Sequence, residues 1–487
     1  MKPLSQLFQL LSTPGTLALA LLLGTYFYGC QLQSATGTKQ EVPPATPVNT
    51  GEMAQGSPSE PLIIQPNEVR PLPGQLNHFP MFNSNSPEWV KTEGILLSTF
   101  PPQGKRVPGA HLDSGFRGRF DLFAHHFTHT PPGLQTLYLG IIVHNPGTTA
   151  VTLEIPEAAS YLMEPDAPFA QKPMISENPT GAIYSGPGIR AVDDILRGKR
   201  GGDFPPTLEI PPGQSRMLMN LPIPVKGLSR PVNGRSSYLR LKSSDTVYVA
   251  SLAMYAKQNP DGSDRAPTLA QWQELLETGT FAGPRDKTPT PPEITSGALI
   301  YGRVAGVQQG TRWDTHLVDA GQNHLTVPAP GKGISYAIST LAGGRLGTQQ
   351  SQAATMLRRY SDTAYESHAN YGVHYDLKIP LLNPTDTMQT VSLTLETPQK
   401  EDRLSQGGLI FRQPSWDFPF FRGTVRIRYR DEQQVITRYL HLWHRRGQIV
   451  DPLVTLKLNP QSSRFVRVDF LYPPDSVPPQ VLTIRTL

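Results

Sequence analysis

Glycine and proline recur along the whole chain, and their density limits the possible folds more than any other feature. The 487 residues include 42 glycines and 50 prolines. Proline removes a backbone hydrogen-bond donor and glycine loses the most backbone entropy on ordering, so both interrupt long helices. Apolar alternating segments nevertheless recur from residue 93 to the C-terminus, which argues against wholesale disorder. The sequence therefore predicts a mainly β fold of short strands joined by turns.

Charge is nearly balanced along the chain. Lysine and arginine number 44 against 39 acidic residues, which leaves a formal net charge of +5. The basic residues form no stripe and no groove-reading module is present, so the sequence predicts no nucleic-acid partner. Mild basicity is typical of proteins that work near anionic glycans or lipids.

The N-terminal residues resemble an export signal. Lys2 precedes an apolar stretch at 17–24, and the segment ends at Cys30. This arrangement predicts a lipoprotein-type signal peptide over residues 1–30, with lipid attached to Cys30. The alternative is an uncleaved membrane anchor, because residues 7–29 carry no charge.

Cys30 is the only cysteine of the chain, so no internal disulfide, thiolate metal cage or cysteine nucleophile can form. Residues 31–65 are rich in Gln, Ser, Thr, Pro and Gly and predict a flexible spacer. We therefore expect an exported protein, anchored to a membrane in the periplasm. Gln31, and not aspartate, follows the cysteine, which favours the outer membrane.

Short alternating runs separated by turn sequences make up the rest of the chain. Asn-Pro-Gly, Pro-Pro-Gly and Asn-Gly breaks favour hairpins. In the first half, strands are predicted at 94–100, 119–127, 137–144, 150–155, 208–210, 216–222, 238–242 and 247–255.

The breaks in this pattern predict two β-sandwich-like domains, over 66–260 and 294–487. A short helix and a proline-rich linker are expected to connect them over 261–293. The helix is predicted at 269–277, after a capping box that begins at Thr268.

The second half repeats parts of the first. Residues 137–155 resemble 375–395 in their strand, Asn-Pro turn and strand, and 208–216 resemble 456–464. Order and spacing agree, which predicts an internal duplication. The alternative is a set of unrelated hairpins with similar turn chemistry.

Several short segments also resemble a known family. They lie at 68–76, 82–87, 93–102, 301–306, 370–372 and 421–425. Together they resemble a family of exported cyanobacterial proteins that is catalogued only as a domain of unknown function, over roughly residues 66–487. The resemblance implies a cell-envelope setting in a photosynthetic bacterium, and it implies no activity and no site residues.

One predicted strand carries a row of arginines. They alternate with apolar residues over 425–430, so their side chains share one face of the strand. An anionic glycan or an acidic partner could bind there by charge pairing and stacking. The alternative is a solvated face whose arginines discourage edge-to-edge aggregation. The predicted ligand-binding residues, which include two on the neighbouring strand, are Arg426, Arg428, Arg430, Trp443 and Arg445.

Histidines are densest at 121–129, where His125 and His129 share a strand face with Asp121. These two histidines are the candidate metal ligands. No metal-binding spacing such as His-Glu-x-x-His occurs, so hydrogen-bonded strand histidines are expected and no cofactor is predicted.

The common hydrolase elbow and the phosphate-binding loop are also absent from the sequence. We therefore predict a cell-envelope lipoprotein with a non-enzymatic binding or structural role. Its expected partners are the membrane, through the lipid anchor, and an anionic envelope glycan or an envelope protein. The alternative is a carbohydrate-active or other hydrolytic periplasmic enzyme. A third hypothesis is an assembly factor that presents a sheet edge to a partner protein.

Overall fold

The structure is a computed structural model that describes residues 61–294, 297–431 and 434–487. The predicted signal peptide, Cys30 and most of the predicted spacer lie outside these residues. Strands dominate the described chain, and its only α-helices are α1 (Pro187–Leu196) and α2 (Leu269–Thr278). The mainly β prediction is therefore confirmed. Neither helix is long and apolar enough to cross a membrane.

Strands make up much of the first half of the described chain. They are β1 (Leu62–Gln65), β2 (Glu68–Arg70), β3 (Pro80–Ser84), β4 (Gly94–Ser98), β5 (Phe116–His129), β6 (Leu137–His144), β7 (Val151–Leu162), β8 (Ile175–Glu177), β9 (Thr207–Ile210), β10 (Ser215–Ile223), β11 (Val232–Tyr255), β12 (Lys257–Gln258) and β13 (Asp264–Arg265). Strand β11 joins two predicted runs. Its register shifts between Ser243 and Val247, so an irregularity replaces the expected turn.

Helix α2 confirms the predicted helix. The Thr268 side chain accepts a hydrogen bond from the backbone of Gln271, and the Gln271 side chain bonds back to the backbone of Thr268. After this helix come β14 (Ala305–Gln309), β15 (Arg312–His316), β16 (Leu325–Thr326), β17 (Gly333–Ile338), β18 (Ala354–Arg359), β19 (Glu366–Ser367), β20 (His374–Asn383), β21 (Gln389–Glu396), β22 (Leu409–Arg412), β23 (Pro419–Asp431), β24 (Gln434–Arg445), β25 (Val454–Leu458), β26 (Ser462–Leu471) and β27 (Gln480–Thr486).

The strands assemble into three large sheets and two strand pairs. The largest sheet has the order β10-β6-β11-β5-β3-β14-β18-β19, with β4 and β7 beside β11 and β9 beside β7. A seven-stranded sheet has the order β15-β20-β26-β23-β24-β8, with β16 beside β20. A five-stranded sheet has the order β2-β17-β27-β21-β25, and the strand pairs are β1-β22 and β12-β13.

The seven-stranded and five-stranded sheets share one hydrophobic core. Tyr375 and Val468 contribute to it from the first sheet, and Leu393 and Ile484 from the second, all fully buried. Because this core takes the inner side chains of the seven-stranded sheet, the polar side chains of its strands lie on the outer face.

Several strands pair across the predicted linker at 261–293. Strand β3 pairs with β14, where Ser84 lies opposite Ala305, and β8 pairs with β24, where Ser176 lies opposite His441. The sheets thus combine strands from both halves of the sequence. The predicted domain boundary itself stays a prediction.

The segments that resemble one another in sequence also pair alike. Strand β6 pairs with β10 and β7 with β9, just as β20 pairs with β26 and β21 with β25. The Asn145 amide donates to Ile210 O at 2.9 Å, and the Asn383 amide donates to Leu458 O at 3.2 Å. Each asparagine therefore ties its turn to the neighbouring strand in the same way. The duplication remains a prediction.

Candidate functional site

The outer face of the seven-stranded sheet is densely charged, and we call it the charged face. Strand alternation directs Val425 and Ile427 into the core, where both are fully buried, and turns the arginines between them outward. Strand β26 pairs with β23 on one side and with β20 on the other, and this order brings acidic and basic side chains into adjacent rows. The charged face comprises Asp314, Asp376, Lys378, Arg426, Arg428, Arg430, Arg467 and Asp469.

Asp469 is the most heavily contacted carboxylate of this face, and its side chain is fully buried. It lies opposite Arg426 on β23 and accepts hydrogen bonds from that guanidinium at 2.5 and 3.1 Å. Arg428 donates to it at 3.1 Å, and His374 Nε2 lies 3.1 Å from it. Burial opposes ionisation of Asp469, but the bonds from His374 and Arg426 outweigh it and hold the pKa of the carboxyl well below its usual range.

Asp376 is the second buried carboxylate of the charged face. Arg467 binds it with two hydrogen bonds, of 2.6 and 2.5 Å, and Arg312 also contacts it. Asp376 and Asp469 lie directly opposite each other on β20 and β26. Two adjacent buried carboxylates are stable here because each one binds two guanidinium groups.

Strands of the first half cover one end of the charged face. Arg240 on β11 donates to Glu157 at 2.7 Å and lies 3.2 Å from His374 Nδ1. The Tyr238 hydroxyl donates to Asp121 at 2.7 Å. Burial raises the pKa of Asp121 to about 6, although Arg240 and Tyr238 oppose the rise. This end of the face is therefore a polar interface with strands of the first half, whereas the opposite end, at Arg430, is open to solvent.

A cavity of about 490 Å³ lies at the open end, and we call it the basic cavity. It is lined by Arg428, Tyr429, Arg430, Val435, Ser463, Arg464, Phe465 and Arg467. Four of these eight residues are arginines, so the lining is strongly cationic.

Two of the lining arginines face each other. Arg428 on β23 lies directly opposite Arg467 on β26, and like charges in that position destabilise a sheet. Arg464 pairs with Asp431 at 2.5 Å, but no carboxylate lies within ion-pair distance of Arg430 in the described part of the chain. Among the described residues, Arg430 is therefore the lining arginine without an ion-pair partner, and the lining carries excess positive charge.

Apolar side chains border these arginines. Phe465 is 48% exposed and Val435 is 66% exposed, although both are hydrophobic. Arg464 lies over the ring of Tyr429, 5.8 Å from its centroid. The basic cavity thus presents an apolar ring and several guanidinium groups to the same ligand.

Of the five predicted ligand-binding residues, Arg428 and Arg430 line this cavity. Arg426 is on the same face but is tied inward, because it binds Asp469 and also donates to Leu196 O at the end of α1. It additionally lies 3.4 Å from the Tyr439 hydroxyl. Arg426 therefore connects the sheet to the helix and offers little to a ligand.

Trp443 and Arg445 lie farther along β24. Thr437 is the residue of β24 opposite Arg428, and six residues of strand, about 20 Å, separate it from Trp443. Trp443 is only 9% exposed, so its ring is not open to stacking. Arg445 lies over that ring at 5.4 Å and pairs with Asp417 at 3.1 Å. The structure thus places these two predicted residues outside the basic cavity.

The cavity residues on β26 were not among the predicted site residues. Arg464, Phe465 and Arg467 belong to a strand that the sequence marks only by its resemblance to an earlier segment. The two arginines of this strand, Arg464 and Arg467, are the sequence signal that could have identified it as part of a basic site.

The candidate metal ligand His125 lies near two carboxylates. Ligand atoms of Glu88, His125 and Asp475 all lie within 4.8 Å of one another. However, Arg303 contacts Glu88, and Arg422 lies 3.7 Å from Asp475. These guanidinium groups already neutralise both carboxylates, and a divalent ion would be repelled by them, so we assign no metal to this cluster.

His129 does not take part in that cluster. It lies at the exposed end of β5, where its ring meets the edge of Trp89 at 6.2 Å. His125 Nδ1 lies 2.6 Å from the Ser236 hydroxyl, and burial lowers the pKa of this histidine. The structure therefore separates the two predicted ligands, and His125 has the surroundings expected of a buried, hydrogen-bonded strand histidine.

The chain matches a known protein family. The family model described as a protein of unknown function, DUF3370, matches residues 67–486. The match covers almost all of the described chain and agrees with the resemblance drawn from short sequence segments. No curated protein matches the chain at a significant level.

Proposed function

We propose that this chain, which belongs to the DUF3370 family of proteins of unknown function, is a non-enzymatic binding protein of the cell envelope. The basic cavity binds an anionic glycan, and the lipid on Cys30 tethers the protein to the membrane. Export and the lipid tether rest on the sequence of residues 1–30.

The observation that carries this proposal is the unbalanced charge of the basic cavity. The buried carboxylates Asp376 and Asp469 each already bind two arginines. Arg428 and Arg467 still face each other, and Arg430 has no carboxylate partner among the described residues. An arrangement that costs stability is favoured where a ligand supplies the missing negative charge, and guanidinium groups bind carboxylates and sulfates with paired hydrogen bonds.

The apolar border supports a sugar ligand over a simple ion. A small inorganic anion would use the arginines and leave the exposed Phe465 ring unused. An acidic sugar has apolar ring faces beside its charged group, so it can contact Phe465 and the guanidinium groups together. Binding sites commonly combine apolar lining with a few charged groups in this way.

Replacing Arg430 by alanine is expected to weaken binding of polygalacturonate by about tenfold, equivalent to about 1.4 kcal/mol. Alanine removes one guanidinium group that the glycan would contact, which weakens binding. Arg430 has no ion-pair partner among the described residues, so folding should not change. Affinity is measured by equilibrium titration of the full-length protein at several salt concentrations. Wild-type binding should weaken as salt rises, because salt screens exposed charges.

The matched control is Arg358→Ala, which removes another exposed arginine that lies on β18, away from the cavity. It should leave binding unchanged, and uncharged dextran should not bind either protein. Equal binding by wild type and Arg430→Ala, or equal loss in both arginine variants, would show that the basic cavity is not a specific glycan site.

A further inference from the structure

Strand β24 has an edge that is only partly covered. Its twelve residues pair with β23 on one side, but on the other side β8 covers only Leu440 to Leu442. Beside this short pairing, Asn178 N donates to Tyr439 O at 2.7 Å and Trp443 N donates to Met174 O at 3.0 Å. Among the residues that the structure describes, no strand therefore lies beside the outer edge before Tyr439.

The backbone groups on this open edge can be identified from the alternation of the strand. Tyr439 and Trp443 direct their backbone groups to the β8 side, and odd-numbered residues of a regular strand all point the same way. Val435 and Thr437 consequently direct their N–H and C=O groups outward. No hydrogen bond reaches these groups within the described residues.

The same segment lacks the usual protection of an exposed edge. Natural sheets shield open edges with charged residues, proline or bulges. Residues 434–437 read Gln-Val-Ile-Thr, with no charge and no proline, and the pairing with β23 is regular there. Val435 is 66% exposed. An unshielded edge of this kind is a template for a further strand.

The charges beside the edge determine which strand fits. Arg430 lies opposite Val435 and Arg428 lies opposite Thr437, on the strand next to the open edge. A second copy of this chain would bring its own Arg428 and Arg430 to the same interface, and these like charges would repel. Acidic side chains at alternate positions of an added strand would instead lie on the side of these arginines.

We propose that the open edge of β24, at Val435 and Thr437, receives an extended acidic segment of a partner protein as an additional strand. The partner's backbone pairs with the outward N–H and C=O groups, and its alternate acidic side chains face Arg428 and Arg430. The partner's acidic side chains and the proposed glycan would share Arg428 and Arg430, which line the basic cavity. Only the backbone pairing at Val435 and Thr437 is specific to the added strand.

The test uses a seven-residue peptide in which glutamate alternates with valine, titrated into the full-length protein. Thr437→Pro should weaken its binding by about tenfold or more, because proline removes an outward donor and obstructs strand addition. Proline is tolerated on an edge strand when its missing N–H faces outward, so the fold should persist. Thr437→Ala, which keeps the N–H, is the matched control and should bind as wild type does.

Two further measurements test backbone pairing and charge attraction separately. A peptide with N-methyl groups at alternate positions should lose binding to the unchanged protein, and a lysine-valine peptide should bind at least about tenfold more weakly than the glutamate peptide. Polygalacturonate binding should survive Thr437→Pro. Equal peptide binding by Thr437→Pro and wild type, or concentration-dependent dimers that Thr437→Pro abolishes, would overturn the proposal.

Discussion

Replacing Asp469 by asparagine is expected to lower the free energy of unfolding by about 3–5 kcal/mol. The fully buried carboxylate binds Arg426, Arg428 and His374 at once, and asparagine would leave the two guanidinium groups without their counter-ion. Urea unfolding of the full-length protein at pH 7 measures the effect. The control is Asp417→Asn, because Asp417 is 82% exposed and its pair with Arg445 should contribute little.

Acid titration of the same variant tests the cause. The pKa of Asp469 is well below its usual range in the folded chain, so below about pH 4 protons bind preferentially to the unfolded chain. The stability contributed by the ionised carboxylate is therefore complete above about pH 4 and is lost as the pH falls further. The difference between wild type and Asp469→Asn should shrink below about pH 4. A constant difference from pH 7 to pH 3 would contradict the electrostatic explanation.

Replacing Trp272 by alanine should also cost about 3–5 kcal/mol. The Trp272 side chain is fully buried and connects α2 to the largest sheet, where Gly140 on β6 leaves room for the indole. The indole Nε1 lies 3.3 Å from the Asn220 side-chain oxygen on β10. Alanine would leave a cavity and an unpaired amide oxygen, and urea unfolding again measures the loss.

A double-mutant cycle shows whether Gly140 is matched to the indole. A Cβ at Gly140 would lie 2.7 to 2.9 Å from three indole atoms of Trp272, which is closer than real side chains approach. Gly140→Ala should therefore destabilise the wild type clearly and the Trp272→Ala variant much less. Strictly additive effects would mean that the two residues do not contact each other as described.

Local features were predictable because neighbouring residues determine them. The short apolar run at 137–144, bounded by turn residues, identified β6. The Thr268 and Gln271 pair identified the beginning of α2, since a capping box needs only four consecutive residues. The Asn-Pro turns also indicated equivalent hairpins, and Asn145 and Asn383 do make equivalent hydrogen bonds. In each case the pattern lies within a short stretch of consecutive residues.

The pairing of distant strands was not predictable in the same way. Strand β8 joins the sheet of the second half through Ser176, and no local pattern of its three residues specifies that neighbour. Register also decides which charges meet. The row at 425–430 suggested free arginines, but Asp469, about 40 residues later, pairs with Arg426 and Arg428.

The candidate site was therefore predicted only in part. Arg428 and Arg430 were recognised from one strand alone, whereas Phe465 and Arg467 become part of the site only because β26 lies beside β23. Trp443 has the residue type of a stacking platform, but the chain around it covers its ring. Composition indicates candidates, and burial in the folded chain decides which of them can reach a ligand.

The most direct test of glycan binding in the basic cavity is arginine modification with and without ligand. Phenylglyoxal reacts with accessible guanidinium groups, and mass spectrometry measures the rate at each arginine of the full-length protein. Polygalacturonate should slow modification of Arg428, Arg430 and Arg464 and leave Arg358 unchanged, whereas dextran should protect none of them. Unchanged rates at all three cavity arginines, or equal protection of Arg358, would contradict the account.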